Sequence, residues 1–212
     1  MATRERLLTI ARDLLIEQGI AGFSMRKVAT ACDLSATAIY RHFDDKDALV
    51  SAAIQEGFRV FASYLMDALE EATPLERMRK AGQRYFDFAV EHPRDYALIF
   101  MTPWQELGLH KLDEETRREG GGSFQFLVDR VAECQTSGDF APGDPRERAA
   151  CVWASVHGLA SLVLNGQLER DAQEVEQLRE RQLDLILAAL AVGRPSEGRK
   201  LRRRRPLGAS GS

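Results

Sequence analysis

The side chains best placed for chemistry lie between residues 24 and 46, and their types suit contact with nucleic acid rather than catalysis. Residues 35–38 read Ser-Ala-Thr-Ala at the start of a short predicted helix. Short side chains at such an end allow a helix to enter the major groove of DNA. Tyr40 and Lys46 suit phosphate groups, Lys46 because a helix N-terminus adds the field of its backbone amides. Ile39 and Phe43 are expected to face inward.

Two short helices must position these side chains. Ser24 is a suitable N-cap for the first, which extends to about residue 31, and Ser35 for the second, which reaches about residue 42. A preceding helix carries an apolar stripe that ends at Gly19, a residue typical of helix C-termini. The acidic segment 44–47 starts a long helix. Short helices separated by a three- or four-residue turn and flanked by longer ones predict a helix-turn-helix.

The stretch from Gly19 to Leu49 resembles the DNA-binding domain of TetR-family repressors. The resemblance rests on Phe-Ser-Met-Arg at 23–26, Leu-Ser at 34–35 and Tyr-Arg-His-Phe-Asp-Asp-Lys at 40–46. In that family the Tyr-x-His-Phe element ends the recognition helix, and the following lysine starts helix four. By position, the resemblance implies groove contacts from Arg26, Thr37, Arg41 and His42, and phosphate contacts from Ser24, Ser35, Tyr40 and Lys46.

Ala36 and Ala38 limit how this helix could recognise sequence. Neither can form bidentate hydrogen bonds, so their base contacts are confined to thymine methyl groups. Specificity is then expected from Arg26, Thr37 and Arg41, or from DNA shape. Other roles stay open: Tyr40 and Phe43 as core residues, His42 as a cap on the recognition helix, and Arg41 as a solvated charge.

Apolar residues recur at helical spacing along almost the whole chain, which predicts an all-α fold. Thr73-Pro-Leu-Glu and Asp144-Pro-Arg-Glu are the clearest helix starts. The pattern weakens from about 103 to 123, where three glycines (120–122) are the expected flexible point. We expect a three-helix DNA-binding domain over 1–49, joined by a long helix to a helical-bundle ligand and dimerisation domain over 50–193. A disordered basic tail is expected over 194–212.

The second domain contains the pattern Trp153-x-x-x-His157-Gly158, which resembles one class of TetR-family C-terminal domain. Trp153 and His157 lie on one helix face, either at a pocket wall or, with His157 hydrogen-bonded, in the core at a helix crossing. Aromatic residues around them suggest a site for a hydrophobic or amphipathic small molecule, although each could be ordinary core. The pocket candidates besides Trp153 and His157 are Tyr96, Phe100, Met101, Trp104 and Phe124.

The family resemblance also implies a homodimer. In that family the last two helices pair with their symmetry mates as a four-helix bundle. Side chains that could form the seam are Leu162, Leu183, Ile186, Ala189 and Leu190. A dimer would set two recognition helices about 34 Å apart and require a palindromic operator. The sequence leaves two functions open, a ligand-released repressor and a constitutive DNA-binding protein without an effector.

The net charge of −3 is an average over different regions. Residues 1–49 hold seven basic and seven acidic residues, 50–193 hold 15 and 24, and 194–212 hold seven and one. Three dispersed cysteines and no apolar leader or membrane span suggest a reduced, cytoplasmic protein. Catalytic, dinucleotide and metal-ligand motifs are lacking, so neither enzymatic activity nor a cofactor is expected.

Overall fold

The computed structural model describes residues 3–102, 114–168 and 170–192. Trp104 and the basic tail 194–212 lie outside these residues. The described chain forms nine α-helices, with a 3₁₀ turn over Asp67–Glu70 and a π-helical turn over Ala97–Met101, which confirms the all-α prediction. The helices are α1 (Thr3–Gly22), α2 (Met25–Ala31), α3 (Ala36–Ile39), α4 (Lys46–Met66), α5 (Pro74–Glu91), α6 (Pro93–Tyr96), α7 (Glu114–Ser137), α8 (Pro145–Leu164) and α9 (Ala172–Leu190).

Local signals explain most helix boundaries. Thr73 and Glu76 form a reciprocal capping box at the start of α5, and Asp144 caps α8 ahead of a proline at the first helical position. Asp171 caps α9 with a second capping box. Gly19 has φ 63°, in the left-handed region that glycine tolerates, and it kinks α1 where the sequence predicts a helix end.

Helices α1 to α4 pack around a shared core that continues into the C-terminal helices. Leu7, Leu15, Ile39 and Leu49 are fully buried, and the same cluster extends through Phe88 to α8 and α9. The expected domain boundary at residue 49 falls inside α4, because this helix runs without interruption from Lys46 to Met66. A second, smaller core joins α5, α7, α8 and α9.

Two expectations about helices were wrong. The recognition helix α3 ends at Ile39 rather than near residue 42, since residues 40–42 form a turn. The glycines at 120–122 are not a break, because α7 runs straight through them. Glycine lowers helix propensity by about 1 kcal/mol relative to alanine, and the packing of α7 against α4, α5 and α8 outweighs that penalty.

Candidate nucleic-acid interface and effector cavity

The two short helices are fixed by side-chain caps. The Ser24 hydroxyl accepts from the Lys27 backbone amide at 3.3 Å, and the Ser35 hydroxyl accepts from the Ala38 amide at 3.1 Å. Asp45 caps α4 in the same way, accepting from the Ala48 amide at 2.7 Å. Each cap satisfies an amide that the helix itself leaves without a partner. Ser24 and Ser35 therefore set the helix starts, and their phosphate contacts stay a prediction.

Six of the predicted DNA-contacting residues are exposed on this helix-turn-helix, namely the cap Ser35 and five others. We call the set of Arg26, Thr37, Tyr40, Arg41 and His42 the reading face. Tyr40 is 53% exposed, which excludes a core role, whereas Ile39 and Phe43 are buried as expected. Ala36 begins α3, just after the Ser35 cap. The buried pair holds the short helix from behind while the polar side chains remain accessible.

Lys46 is half-buried and has an internal contact. Its ammonium donates to the backbone carbonyl of Ile20 at 2.7 Å and lies 5.7 Å from the centre of the Phe23 ring. It thereby ties the start of α4 to the end of α1. Lys27, which the sequence analysis did not select, is an exposed cation beside the reading face that donates to the Gly22 carbonyl at 2.6 Å.

A cavity of about 400 Å³ lies between α4, α5, α7 and α8. Four predicted pocket residues line it: Phe100, Phe124, Trp153 and His157. The other lining residues were not predicted from the sequence: Phe58, Phe61, Leu65, Ala81, Gly82, Tyr85, Ile99, Gly120, Ser123, Phe126, Leu127, Ala154 and Val156. The walls are overwhelmingly apolar, a composition typical of sites for small hydrophobic ligands.

Two predicted pocket residues lie elsewhere. Met101 is exposed at the end of the π-helical turn, and its sulfur accepts from the Ser161 hydroxyl at 3.7 Å. Tyr96 is buried and does not line the cavity. Its hydroxyl is hydrogen-bonded to His157, which does line the cavity. The prediction that these two side chains line the cavity was therefore wrong.

Four polar side chains form a hydrogen-bonded row along one wall, and we call it the polar row: Trp153, Tyr85, Tyr96 and His157. The Trp153 indole donates to the Tyr85 hydroxyl at 3.2 Å. His157 Nδ1 lies 2.8 Å from the Tyr96 hydroxyl and 3.0 Å from that of Tyr85. His157 is thus both hydrogen-bonded and part of the cavity wall, which combines the two alternatives left open by the sequence.

Burial keeps the polar row uncharged. It raises the pKa of Tyr96 to about 12 and raises the pKa of Tyr85 still further. Burial also lowers the pKa of His157 below its usual value near 6.5, because the protonated ring loses hydration. All the titratable groups of this row are therefore neutral at pH 7.

One short segment connects the cavity to the helix-turn-helix. We call residues 93–101 the connecting segment. Within it, Phe100 lines the cavity, while the neighbouring Asp95 points to α1. The Arg12 guanidinium donates to both Asp95 carboxylate oxygens, at 2.9 and 3.0 Å, and Asp95 is only 5% exposed. Arg94 adds an ion pair to Asp13 at 3.2 Å. A displacement of this segment would therefore reach α1 directly.

The outward side of α8 and α9 is partly apolar. Leu162 and Ala189 are exposed, as expected of a dimer seam, and Leu185 is 72% exposed. The other predicted seam residues point inward. Leu183 is 3% exposed and packs against Gly82 of α5, while Ile186 and Leu190 pack against the cores. Leu183 therefore belongs to the core of its own protomer, whereas Ile186 and Leu190 are half-buried and their place in the seam stays a prediction.

A capped helix-turn-helix, continued by a long helix into a helical unit with an apolar cavity, is the architecture of a DNA-binding regulator. Comparison of the sequence with protein-family models identifies the family. The model described as "Bacterial regulatory proteins, tetR family" matches residues 7–53, and "Tetracyclin repressor-like, C-terminal domain" matches residues 78–186. The chain belongs to the TetR family of transcriptional regulators, a class of DNA-binding proteins rather than enzymes.

Individual relatives agree with this assignment. An HTH-type transcriptional regulator of Mycobacterium tuberculosis is 25% identical over 194 residues, which cover 78% of this chain and 82% of the relative. The regulator UidR of Escherichia coli is 26% identical, covering 66% and 70% of the two chains. A solved Rhodococcus protein of unknown function superposes with a TM-score of 0.74 at 28% identity, over 90% of this chain and 96% of its own.

The described part of the chain contains neither a candidate membrane span nor a candidate metal site. Over residues 3–102, 114–168 and 170–192, none of the helices has the length and apolarity needed to cross a membrane. Within the same ranges, His, Cys, Asp and Glu side chains do not gather into a group that could hold a metal ion.

Proposed function

We propose that this TetR-family protein is a ligand-responsive repressor. In this proposal residues 1–49 form the DNA-binding domain and residues 50–193 the ligand and dimerisation domain. The dimer binds a palindromic operator in the cytoplasm, and a small apolar molecule in the cavity releases it. The observation that carries the proposal is the connecting segment, since it supplies Phe100 to the cavity wall and Asp95 to the ion pair with Arg12 of α1.

The reading face supplies the operator contacts. Arg26, Thr37, Arg41 and His42 are exposed where a helix-turn-helix meets base edges, and Tyr40 has an exposed hydroxyl for a phosphate. Ala36 adds no hydrogen bond, so the polar residues and DNA shape carry the specificity. Selection of bound sequences from random DNA should recover an inverted repeat. Recovery of sequences without two-fold symmetry would contradict the dimeric reading mode.

The dimer forms through the outward side of α8 and α9. The support is the exposure of apolar side chains there, chiefly Leu162, Leu185 and Ala189. Gly158 lies on α8 with open space where a side chain would start, so a partner helix could approach its backbone closely. Such an isologous contact repeats each residue across a two-fold axis, which matches a palindromic operator.

Ligand binding acts by favouring one arrangement of the reading faces over another. A ligand shifts such an equilibrium only by its difference in affinity for the two states, typically about 1–3 kcal/mol in coupling energy. The expected route runs from the cavity wall through the connecting segment to α1. Because coupling is reciprocal, operator DNA must weaken ligand binding by the same factor by which ligand weakens operator binding.

The decisive experiment measures both affinities on the full chain. Ligand dissociation constants are determined with and without operator, and operator dissociation constants with and without ligand. Equal factors of about 5- to 150-fold are expected. Ligand binding with identical affinity in the two cases would contradict regulation and favour a constitutive DNA-binding protein.

A further inference from the structure

The chemistry of the cavity wall constrains what can bind there. Its described lining includes no Lys, Arg, Asp or Glu. The side chains with polar atoms are Tyr85, Ser123, Trp153 and His157, and the polar row already joins three of them. A buried ion needs an opposite charge or several hydrogen bonds to replace its hydration. The described wall supplies no opposite charge, so it disfavours charged ligands of either sign.

The polar row has a direction, and that direction fixes the hydrogen on His157. An indole nitrogen can only donate, so the Tyr85 oxygen accepts from Trp153, and the hydrogen of the Tyr85 hydroxyl donates to His157 Nδ1 at 3.0 Å. The Tyr96 hydroxyl also has its shortest contact with His157 Nδ1, at 2.8 Å, rather than with the His157 carbonyl at 3.4 Å. Nδ1 accepts, so the neutral ring carries its hydrogen on Nε2.

This Nε2–H group is the unused end of the row. His157 lines the cavity, and its Nε2 forms no hydrogen bond with any residue in the described part of the chain. The ring is half-buried between Trp153, Phe100 and Tyr96, with ring centres 5.7 to 6.2 Å away. A donor in an apolar wall is best matched by a ligand oxygen placed against it.

We propose that the cavity binds an uncharged, largely apolar molecule that carries a carbonyl oxygen, as in a ketone, ester or amide, and that this oxygen accepts from His157 Nε2–H. The proposal rests on the proposed effector role of the cavity and adds the chemical class of the ligand. Apolar contact with the aromatic walls supplies most of the affinity, and His157 selects the carbonyl group. Tyr96 is a positioning residue, because it acts through His157 from outside the cavity lining.

Three probes of nearly equal shape separate the relevant chemistries. 2-Acetylnaphthalene carries a neutral carbonyl, 2-ethylnaphthalene lacks an acceptor, and 2-naphthoate carries a charge. Equilibrium dialysis against the full chain should give the ketone about ten-fold tighter binding than 2-ethylnaphthalene, the value of one net hydrogen bond. The carboxylate should bind more weakly than the ketone. Tightest binding of 2-naphthoate, or equal binding of the two neutral probes, would overturn the proposal.

Two variants assign the preference to the polar row. His157→Phe keeps an aromatic ring without the donor and should remove the ketone's advantage while retaining 2-ethylnaphthalene binding. Tyr96→Phe removes the nearer of the two hydroxyls at Nδ1, and it should reduce the ketone's advantage without affecting 2-ethylnaphthalene binding. A ketone preference unchanged in the folded His157→Phe protein would overturn the assignment.

A measurement on the unsubstituted protein avoids any folding defect of the variants. Nitrogen-15 NMR of the histidine rings distinguishes the two neutral tautomers. The His157 resonance is the one that disappears in His157→Phe, provided that this variant folds. A second assignment comes from selective histidine labelling, because the His157 resonance should shift in Tyr96→Phe. Hydrogen on Nε2 is expected, and hydrogen on Nδ1 would overturn the proposal. Operator release is scored separately: ketone binding that leaves operator affinity unchanged would contradict the effector role but uphold the ligand class.

Discussion

The ion pair between Arg12 and Asp95 gives the sharpest test of how the two regions are joined. Asp95→Asn keeps the shape of the side chain but removes its charge and places amide hydrogens beside the Arg12 guanidinium. The side chains of Asp95 and Arg12 are only 7% and 23% exposed, so water cannot replace the lost partner fully. Two charged hydrogen bonds at 2.9 and 3.0 Å are affected. We expect a loss of about 2–3 kcal/mol in the free energy of unfolding.

The matched control is Asp33→Asn, which alters the exposed ion pair with Arg6. These side chains are 87% and 50% exposed, and the contact is 3.0 Å long. Asparagine tolerates the left-handed backbone of this position, where φ is 58°. Exposed pairs contribute about 0–1 kcal/mol, so the control should have little effect.

Thermal and urea denaturation measure the difference. For a chain of this size 1 kcal/mol corresponds to about 2–4 °C in Tm, so Asp95→Asn should lower Tm by about 4–12 °C. A double-mutant cycle with Arg12→Gln should give a coupling of about 2 kcal/mol between the two side chains. Equal, small effects of Asp95→Asn and Asp33→Asn would refute the reasoning. If ligand still weakens operator binding by the unsubstituted protein's factor in a folded Asp95→Asn protein, the ion pair stabilises the fold but does not transmit the ligand's effect.

Four further predictions address DNA contact, assembly, pH dependence and the tail. Arg26→Ala should weaken operator binding by about 1–3 kcal/mol and relax the base preference at one position, as measured by titration of operator variants; uniform weakening on all sequences would indicate a phosphate contact instead. Leu185→Glu should convert the dimer to a folded monomer in light-scattering measurements, and a persisting dimer would exclude this face. Burial lowers the pKa of His157, so the folded state binds fewer protons than the unfolded state below pH 6.5 and stability falls as pH falls through that range. The urea midpoint of His157→Phe should therefore decline less between pH 7.5 and 5.5, and an equal decline would show that other groups dominate. Deleting residues 194–212 removes seven basic side chains and should flatten the salt dependence of DNA affinity, whereas an unchanged slope would exclude phosphate contacts from the tail.

Helix boundaries were predictable where the signal is short. The capping box at Thr73, the Asp144-Pro start and the left-handed Gly19 each depend on residues within one helical turn. The two caps of the helix-turn-helix, Ser24 and Ser35, belong to the same class. Local hydrogen bonds and backbone preferences decide these features, so the sequence reveals them directly.

The direction of side chains was less predictable. Leu183 and Leu185 are both leucines near the end of α9, yet one is buried against Gly82 and the other is exposed. Their spacing shows only that they lie on different sides of one helix. Met101 was misplaced for a related reason, because the π-helical turn changes the phase of residues 97–101 relative to an α-helix.

By itself the sequence determined the all-α fold, the helix-turn-helix, and the exposed polar face that qualifies this chain as a DNA-binding regulator. Only the tertiary structure decided which side chains enclose the cavity, how Tyr85, Tyr96 and His157 share hydrogen bonds, and that Arg12 reaches Asp95. The physical reason is separation along the chain. Tyr96 and His157 are 61 residues apart and Arg12 and Asp95 are 83 apart, so their meeting depends on how whole helices pack.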